Sequence, residues 1–392
     1  MNKGLNICML TKWYPNREDP QLGIFIKKHV QAIGLGNTIS VLYVHSTQNI
    51  NGTYEVIKNE ESGITEVIVY FKKNVSIVGK GINLFRYVVG LIKGLLLLKR
   101  ISPKPDIIHS YILTRTAVIA WLLSLSKNIP YVVSEQWSGF LTGRFLTGHS
   151  LKKFLTIFLV SRASGVSSVS TFLFRRMNEC GLKNSNYHVI PNIIEAPVNF
   201  FSAKKKDYVY ILMVADLVDE IKNISGLIRA INSLDTSIDF QVHIIGRGPD
   251  ENHLKKIADN LGLLNKKVFF EGLKTNEEVY HYLGECDFLV MNSRYETFSL
   301  ICAEAMSCGK PVLATRCGGP NEFVQNNTGI LIEPGNEEEL KKNLIIMLNN
   351  YHKYNPEEIK DYIRSLFSKE KVAISFRNFY DSALLLSTKK RG

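Results

Sequence analysis

"NSRYETFSLICAEAMSCGKPVLATRCGGPNEF" occupies residues 292–323 of a 392-residue chain. Two glutamates, Glu296 and Glu304, lie eight residues apart in it. DFLVMNS (287–293) reads as a strand, RYET as a turn and SLICAEAMSCG (299–309) as a helix. Ser299 can cap the helix start, and Gly309 takes a C′ position ahead of Lys310 and Pro311. The first N–H groups of such a helix lack intrahelical partners and favour an anion such as a diphosphate. Glu296 and Glu304 would then accept hydrogen bonds from sugar or ribose hydroxyls beside that anion. A surface turn carrying two solvated glutamates is the alternative. A strand end before them, and Gly318 and Gly319 one βα unit later, favour the ligand site.

The flanking sequence repeats the same alternation. Downstream of residue 206, DYVYILMVA, FQVHIIG, KVFFEG, DFLVMNS, KPVLATR and GILIEPG read as short apolar strands. ISGLIRAIN, NHLKKIADNLGL and EEVYHYLGEC read as the helices between them. Upstream, LNICMLT, TISVLYVH, DIIHSY, PYVVSE, ASGVSSVS and YHVIPN are strands, with helices at 25–34, 83–100 and 115–125. Strands alternating with helices of this length indicate parallel, doubly wound sheets. Residues 49–81 are less regular; there an antiparallel excursion, ITEVIVYF, and a mobile loop are expected. The lysines before Asp207 read as a linker. The expected organisation is α/β, with two Rossmann-like domains facing a central cleft. A first domain spans 1–200 and a second 201–370. A terminal helix at 371–392 packs back towards the first domain. Open α/β sheets bind ligands beyond the C-terminal ends of their strands.

Length and composition agree. The chain is too long for one typical core, and 45% apolar with 21% charged residues is ordinary for a globular protein. The six cysteines show no CxxC spacing and read as buried thiols in a reducing compartment. Residues 1–200 carry 23 Lys+Arg against 10 Asp+Glu, whereas the remainder carries 25 against 26. The basic excess therefore belongs to the first half and suits an anionic partner, including a membrane surface. The apolar run at 88–100 is interrupted by Lys93 and reads as a buried or interfacial helix rather than a span.

The opening stretch resembles the signature of glycosyltransferase family 4, retaining enzymes of the group 1 type with the GT-B fold. The match reads Ser293, Glu296, Glu304-Ala-Met-Ser-Cys-Gly-Lys-Pro-Val, Gly318, Gly319 and Glu322. It continues through Gly23-Ile-Phe, His109, Glu135-Gln-Trp, Val189-Ile-Pro-Asn, Lys222 and Gly246-Arg-Gly-Pro. The resemblance implies transfer of a sugar from a nucleotide-sugar donor to an acceptor hydroxyl. By it, Glu296 contacts the transferred sugar, Glu304 the ribose, and Lys222 the diphosphate. Backbone around Thr297, Phe298, Ser299 and Leu300 holds the distal phosphate, and His109 approaches the donor sugar. Gly23, Glu135 and Arg247 complete the substrate-binding set, although Glu135 can instead cap Trp137 and the backbone after it. No metal or other cofactor is implied, because a helix dipole and basic side chains stabilise the leaving diphosphate. The implied setting is polysaccharide or cell-envelope assembly in the cytoplasm, on a glycan or lipid-linked acceptor, with the enzyme peripheral on the inner membrane face.

Three departures qualify the match. Asp216 stands where relatives commonly carry an arginine, and the loop to Lys222 looks one residue longer. Thr297 and Ser299 replace glycines, and Gln136 replaces a common histidine. Asp216 keeps open a catalytically weakened nucleotide-sugar-binding or scaffolding subunit. A dinucleotide-dependent oxidoreductase would need GxGxxG after an early strand, and TKWYPNREDPQLG lacks it. No aromatic-basic motif supports a nucleic-acid partner.

Overall fold

The computed structural model describes residues 4–113, 115–147, 150–196 and 206–389. The expected boundary at 200/201, with most of its lysine linker, falls outside the described residues, as do 390–392 of the terminal segment. In chain order the first elements are β1 (Asn6–Thr11), α1 (Ile24–Ile33), β2 (Thr38–Thr47), β3 (Tyr54–Glu61), β4 (Ile64–Lys72) and α2 (Gly79–Ile101). Next come β5 (Ile107–Tyr111), α3 (Arg115–Lys127), β6 (Tyr131–Glu135), α4 (Ser150–Arg162), β7 (Gly165–Ser168), α5 (Thr171–Glu179) and β8 (Tyr187–Val189). The series continues with β9 (Val209–Val214), a one-turn α6 (Asp219–Lys222), α7 (Ile224–Asn232), β10 (Phe240–Ile245), α8 (Glu251–Asn260) and β11 (Val268–Gly272). It then runs α9 (Asn276–Glu285), β12 (Phe288–Met291), α10 (Leu300–Ser307), β13 (Val312–Thr315) and β14 (Gly329–Ile332). Three helices close it: α11 (Glu337–Asn350), α12 (Pro356–Phe367) and α13 (Lys369–Lys389).

Two compact units result. Unit 1 comprises Met1–Val169, Phe174–Pro191 and Lys369–Gly392; unit 2 comprises Ser170–Leu173 and Asn192–Ser368. Unit 1 carries an eight-stranded sheet in the order β3-β4-β2-β1-β5-β6-β7-β8. The residues expected to form an antiparallel excursion are β4, and β4 runs parallel to β2. The antiparallel member is β3, an edge strand paired with β4 alone. Its sequence, YEVIKNEE, is mostly exposed and polar, so it carries little of the apolar signal that marks a buried strand.

Helix α2 lies on β2 and β4 by a glycine notch. A Cβ on Gly94 would come within 2.3 Å of Leu42 Cδ1, and one on Gly90 within 3.2 Å of Val44 Cγ1. A side chain at Gly94, one turn after Gly90, would have to displace Leu42, so the helix approaches the sheet closely there. Its other faces leave Phe85, Val88, Ile92 and Leu96 exposed. By length and composition α2 could cross a membrane, and 22% of its most apolar window is buried.

The terminal helix α13 belongs to unit 1 and packs against α1 and β7. Phe376, Phe379 and Tyr380 are buried there against His29 and His109. Tyr111 O–H donates to His29 Nδ1 over 2.8 Å, and His29 Nε2–H donates to the Pro191 carbonyl over 3.1 Å. A carbonyl can only accept, which assigns the tautomer.

Unit 2 carries six parallel strands in the order β11-β10-β9-β12-β13-β14. Chain progression runs outward from β9 to β11 on one side and from β12 to β14 on the other. The strand order therefore reverses between β9 and β12, the switch point at which open α/β sheets bind ligands.

Candidate functional site

Loops from the C-terminal ends of both switch-point strands meet. The loop after β9 ends in α6 and delivers Lys222; the loop after β12 delivers Glu296. Lys222 Nζ donates to Glu296 Oε1 over 2.6 Å, and Ser293 Oγ donates to the same oxygen over 2.9 Å. The two charged side chains are 21% and 15% exposed, so they face a small opening rather than bulk water. Burial works against the Lys222 charge, but Glu296, then Asp216, overcome it and hold the ammonium above its ordinary value. The lysine is thus held as a cation within the pair.

Local backbone chemistry places Lys222. Asn223 follows it with φ 48°, a left-handed conformation that Asn tolerates better than most residues. The Asn223 carbonyl accepts from Asn292 Nδ2 over 2.9 Å, and its Oδ1 accepts from Arg294 over 3.1 Å. The Arg294 N–H donates to the Ile221 carbonyl over 2.7 Å. The lysine loop is thereby tied to the glutamate loop on both sides of the ion pair.

Glu296 is placed by the two glycines after β13. Its N–H donates to the Cys317 carbonyl over 3.1 Å, and the Gly319 N–H donates back to its carbonyl over 3.0 Å. A Cβ on Gly318 would lie 2.4 Å from the Glu296 carbonyl oxygen, and one on Gly319 would lie 2.3 Å from Phe298 Cα. Gly318 also has φ 130°. Both glycines hold the 296–298 backbone at a distance that no side chain would allow.

Helix α10 starts from this loop. Ser299, its N-cap, has φ 71°, which accounts for glycine being usual there; a non-glycine residue in this region costs about 1–2 kcal/mol. Ser299 Oγ is buried without a hydrogen-bond partner, although it faces the Cys302 thiol closely enough to lower that thiol's otherwise raised pKa. The expected side-chain cap at Ser299 is therefore absent. Phe298 is buried against Phe323 and Phe367, so its side chain belongs to the core and only its backbone is available to a ligand. Thr297 and Leu300 are half-buried. Glu304 lies one turn along α10 from Leu300, half-buried beside the Tyr280 hydroxyl. That hydroxyl donates to the Glu195 carbonyl over 3.1 Å. Gly309 ends the helix with φ 75°, as expected of a C′ glycine.

Arg247 is exposed in the turn after β10. Its carbonyl accepts from the Leu217 N–H over 3.0 Å. A Cβ on Gly246 would meet the Ala215 carbonyl oxygen at 1.9 Å, which locks this turn beside the lysine loop.

The other three candidates lie in unit 1. Gly23 caps α1 with φ 68°, and a Cβ there would come within 2.7 Å of the Trp13 backbone. Glu135, at the end of β6, is 1% exposed. It accepts from the backbone N–H groups of Leu113, Gln136 and Trp137 over 2.8, 2.7 and 2.7 Å. Burial raises its pKa, and these three bonds counter that effect. The geometry is that of the cap weighed from sequence.

His109 has surroundings other than those expected. It is fully buried in β5, with Nδ1 2.8 Å from Tyr380 Oη and Nε2 2.8 Å from Ser134 Oγ. Both nitrogens are bonded within unit 1, and burial pushes the imidazole down to about 3. The ring cannot reach a ligand without breaking one of these bonds. The partner that seals it, Tyr380, lies 271 residues away, beyond any local reading.

Eight candidates therefore share unit 2, where Lys222 and Glu296 are in direct contact. The remaining three hold the unit 1 backbone or core. Sequence reasoning missed Asn223 as the left-handed hinge after the lysine; the signal was an Asn, which tolerates that conformation. All six cysteines are buried and free, and no cluster of His, Cys, Asp or Glu suited to a metal occurs among the described residues.

Residues 197–366 match the family described as glycosyl transferases group 1, and residues 79–193 match the glycosyl transferase 4-like domain. An uncharacterized glycosyltransferase of Methanocaldococcus jannaschii is 30% identical over 282 residues, covering 70% of this chain and 75% of its own length. The N-acetylgalactosamine-N,N'-diacetylbacillosaminyl-diphospho-undecaprenol 4-alpha-N-acetylgalactosaminyltransferase of Campylobacter jejuni is 32% identical over 143 residues, 36% of this chain and 38% of its own. Among solved structures, sucrose-phosphate synthase from Thermosynechococcus elongatus superposes with a TM-score of 0.75 at 16% identity, over 96% of this chain and 98% of that one. That likeness concerns the fold. The chain therefore belongs to the GT-B-fold glycosyltransferases related to the group 1 and 4-like families.

Proposed function

We propose that the chain is a retaining glycosyltransferase whose unit 2 binds the nucleotide-sugar donor at the β9/β12 switch point. The observation that carries this reading is the Lys222–Glu296 pair, 2.6 Å apart beside the start of α10. Lys222 and the first N–H groups of α10 face the diphosphate, where charge develops as the anomeric C–O bond breaks. Glu296 turns from Lys222 to the hydroxyls of the transferred sugar, and Glu304 accepts from the ribose. The acceptor oxygen attacks the face that the diphosphate leaves, and its proton passes to the departing phosphate oxygen. No side-chain base is needed. Arg247, Thr297, Ser299 and Leu300 line the donor, Phe298 supplies backbone, and Gly23 shapes the loop over the phosphates. Glu135 and His109 act by holding the strand ends of unit 1.

The acceptor is a lipid-linked or polysaccharide precursor, and the enzyme works at the inner face of the cytoplasmic membrane. The exposed apolar residues of α2, the basic first half and the diphospho-undecaprenol in the Campylobacter relative's name support this setting. A second reading, a weakened donor-binding subunit, draws on Asp216, whose negative charge acts on Lys222. A panel of UDP-, GDP- and ADP-sugars, scored for hydrolysis and for protection against thermal unfolding, separates the two. Protection with turnover supports the enzyme, protection without turnover supports the binding subunit, and neither refutes the donor site.

A further inference from the structure

We infer that a cavity at the C-terminal end of β1 in unit 1 binds the phosphoryl headgroup of an acceptor that carries an apolar tail. This rests on the glycosyltransferase reading above and names the acceptor's chemistry. The cavity measures about 590 Å³, within the roughly 300–1,000 Å³ of small-molecule sites. Lys12, Arg115 and Lys152 line it from the β1 loop, α3 and α4. Its apolar surface comes from Val44, Tyr87, Leu113, Val118 and Leu159.

The three cations have no anion of their own. Among the described residues none of them makes an ion pair. The carboxylate that acts on Lys12 is Glu135, and its oxygens already serve three backbone N–H groups. Partial burial first, against the pull of Glu135, and then Lys152 and Arg115 hold the Lys12 ammonium below its ordinary value. Aromatic faces orient the cations: Lys12 lies 4.9 Å from the Trp13 ring centre, Arg115 5.3 Å from Tyr87 and Lys152 5.9 Å from Trp137. A phosphoryl group supplies the charge that the cations lack.

Apolar side chains around the cavity select for a tail. Leu151, Phe154 and Leu155 follow one face of α4 beside Lys152 and are 79%, 69% and 37% exposed. Exposed apolar residues in such numbers next to a charged cavity suit an amphiphile rather than a free anion.

Calorimetric titration of the full chain tests this with three probes: dodecyl phosphate below its micelle concentration, inorganic diphosphate and dodecyl maltoside. Dodecyl phosphate should bind saturably and at least tenfold more tightly than inorganic diphosphate, and dodecyl maltoside should not saturate. Lys12→Ala, Arg115→Ala and Lys152→Ala should each weaken dodecyl phosphate about tenfold, as loss of a hydrogen bond to a charged group does. Phe154→Ser should narrow the gap between dodecyl phosphate and inorganic diphosphate. Thermal melting of each variant confirms its fold, and all three cations are exposed. The inference is overturned if dodecyl phosphate does not saturate, if inorganic diphosphate binds as tightly, or if the cation variants bind like wild type. Nucleotide-sugar protection is measured separately. Its failure with dodecyl phosphate still bound refutes the function above, and the reverse refutes only this site.

Discussion

Replacing Lys222 separates an ion pair that only holds two loops together from one that also stabilises a leaving group. Lys222→Met removes the ammonium 2.6 Å from Glu296 and leaves the carboxylate with Ser293 as its remaining side-chain donor. The pair is 21% and 15% exposed, between the surface case, worth about 0–1 kcal/mol, and the buried case, where losing one partner costs about 3–5 kcal/mol. A cost of about 1–2 kcal/mol follows, which lowers the melting temperature by roughly 2–8 °C for a domain of this size. Adding Glu296→Gln removes the stranded charge and should recover most of that stability. Activity should behave differently. Lys222→Met should cut kcat/KM by about 100-fold or more, because it removes a contact that strengthens as the diphosphate leaves. The double variant should recover none of it. Melting curves and steady-state kinetics with the best nucleotide-sugar give both readouts. A loss below threefold, or an active double variant, would refute the leaving-group role and leave a structural ion pair.

Gly318→Ala drives a Cβ to within 2.4 Å of the Glu296 carbonyl oxygen at a φ of 130° and should cost about 1–3 kcal/mol and weaken donor protection. Gly81→Ala, in open space on α2, is its control; equal melting of the two variants would contradict the packing argument. His29 and His109 are held neutral by burial, at about 4 and about 3 against an ordinary 6.5. The unfolded chain binds protons first, so stability is fully present above pH 6.5 and falls towards pH 4 and 3, by up to about 1.4 kcal/mol per pH unit for each ring. Identical urea midpoints at pH 7 and pH 5 would contradict this. The chain should float with anionic vesicles, less so as salt rises, and Lys93, Lys99 and Arg100 replaced together should weaken it. Equal flotation with neutral vesicles would reject the electrostatic attachment.

Much of the fold was legible because parallel strands buried on both faces read as apolar runs, as in residues 209–214 and 107–111. Strand β3 was not, because an exposed edge strand carries polar residues on both faces. Helix α4 escaped notice because Leu151, Phe154 and Leu155 are apolar yet exposed, which blurs the helical period. Within the site, Glu296 was legible as a carboxylate after a strand, and Lys222 only through the family resemblance. Their contact, across 74 residues, depends on the strand order and on Gly318. His109 was expected at the donor sugar because its seal, Tyr380, arrives from the far end of the chain, beyond any local reading. The cation cluster at the end of β1 was invisible for the same reason: three separate segments supply it.

A crystal structure of the chain with the nucleotide-sugar that best protects it from unfolding tests the central claim most directly. The account predicts the diphosphate at the β9/β12 switch point, within hydrogen-bond reach of Lys222 Nζ and the N–H groups at the start of α10. Glu296 would have turned from Lys222 to the sugar hydroxyls. A diphosphate bound elsewhere, with the 2.6 Å Lys222–Glu296 contact intact, would contradict it.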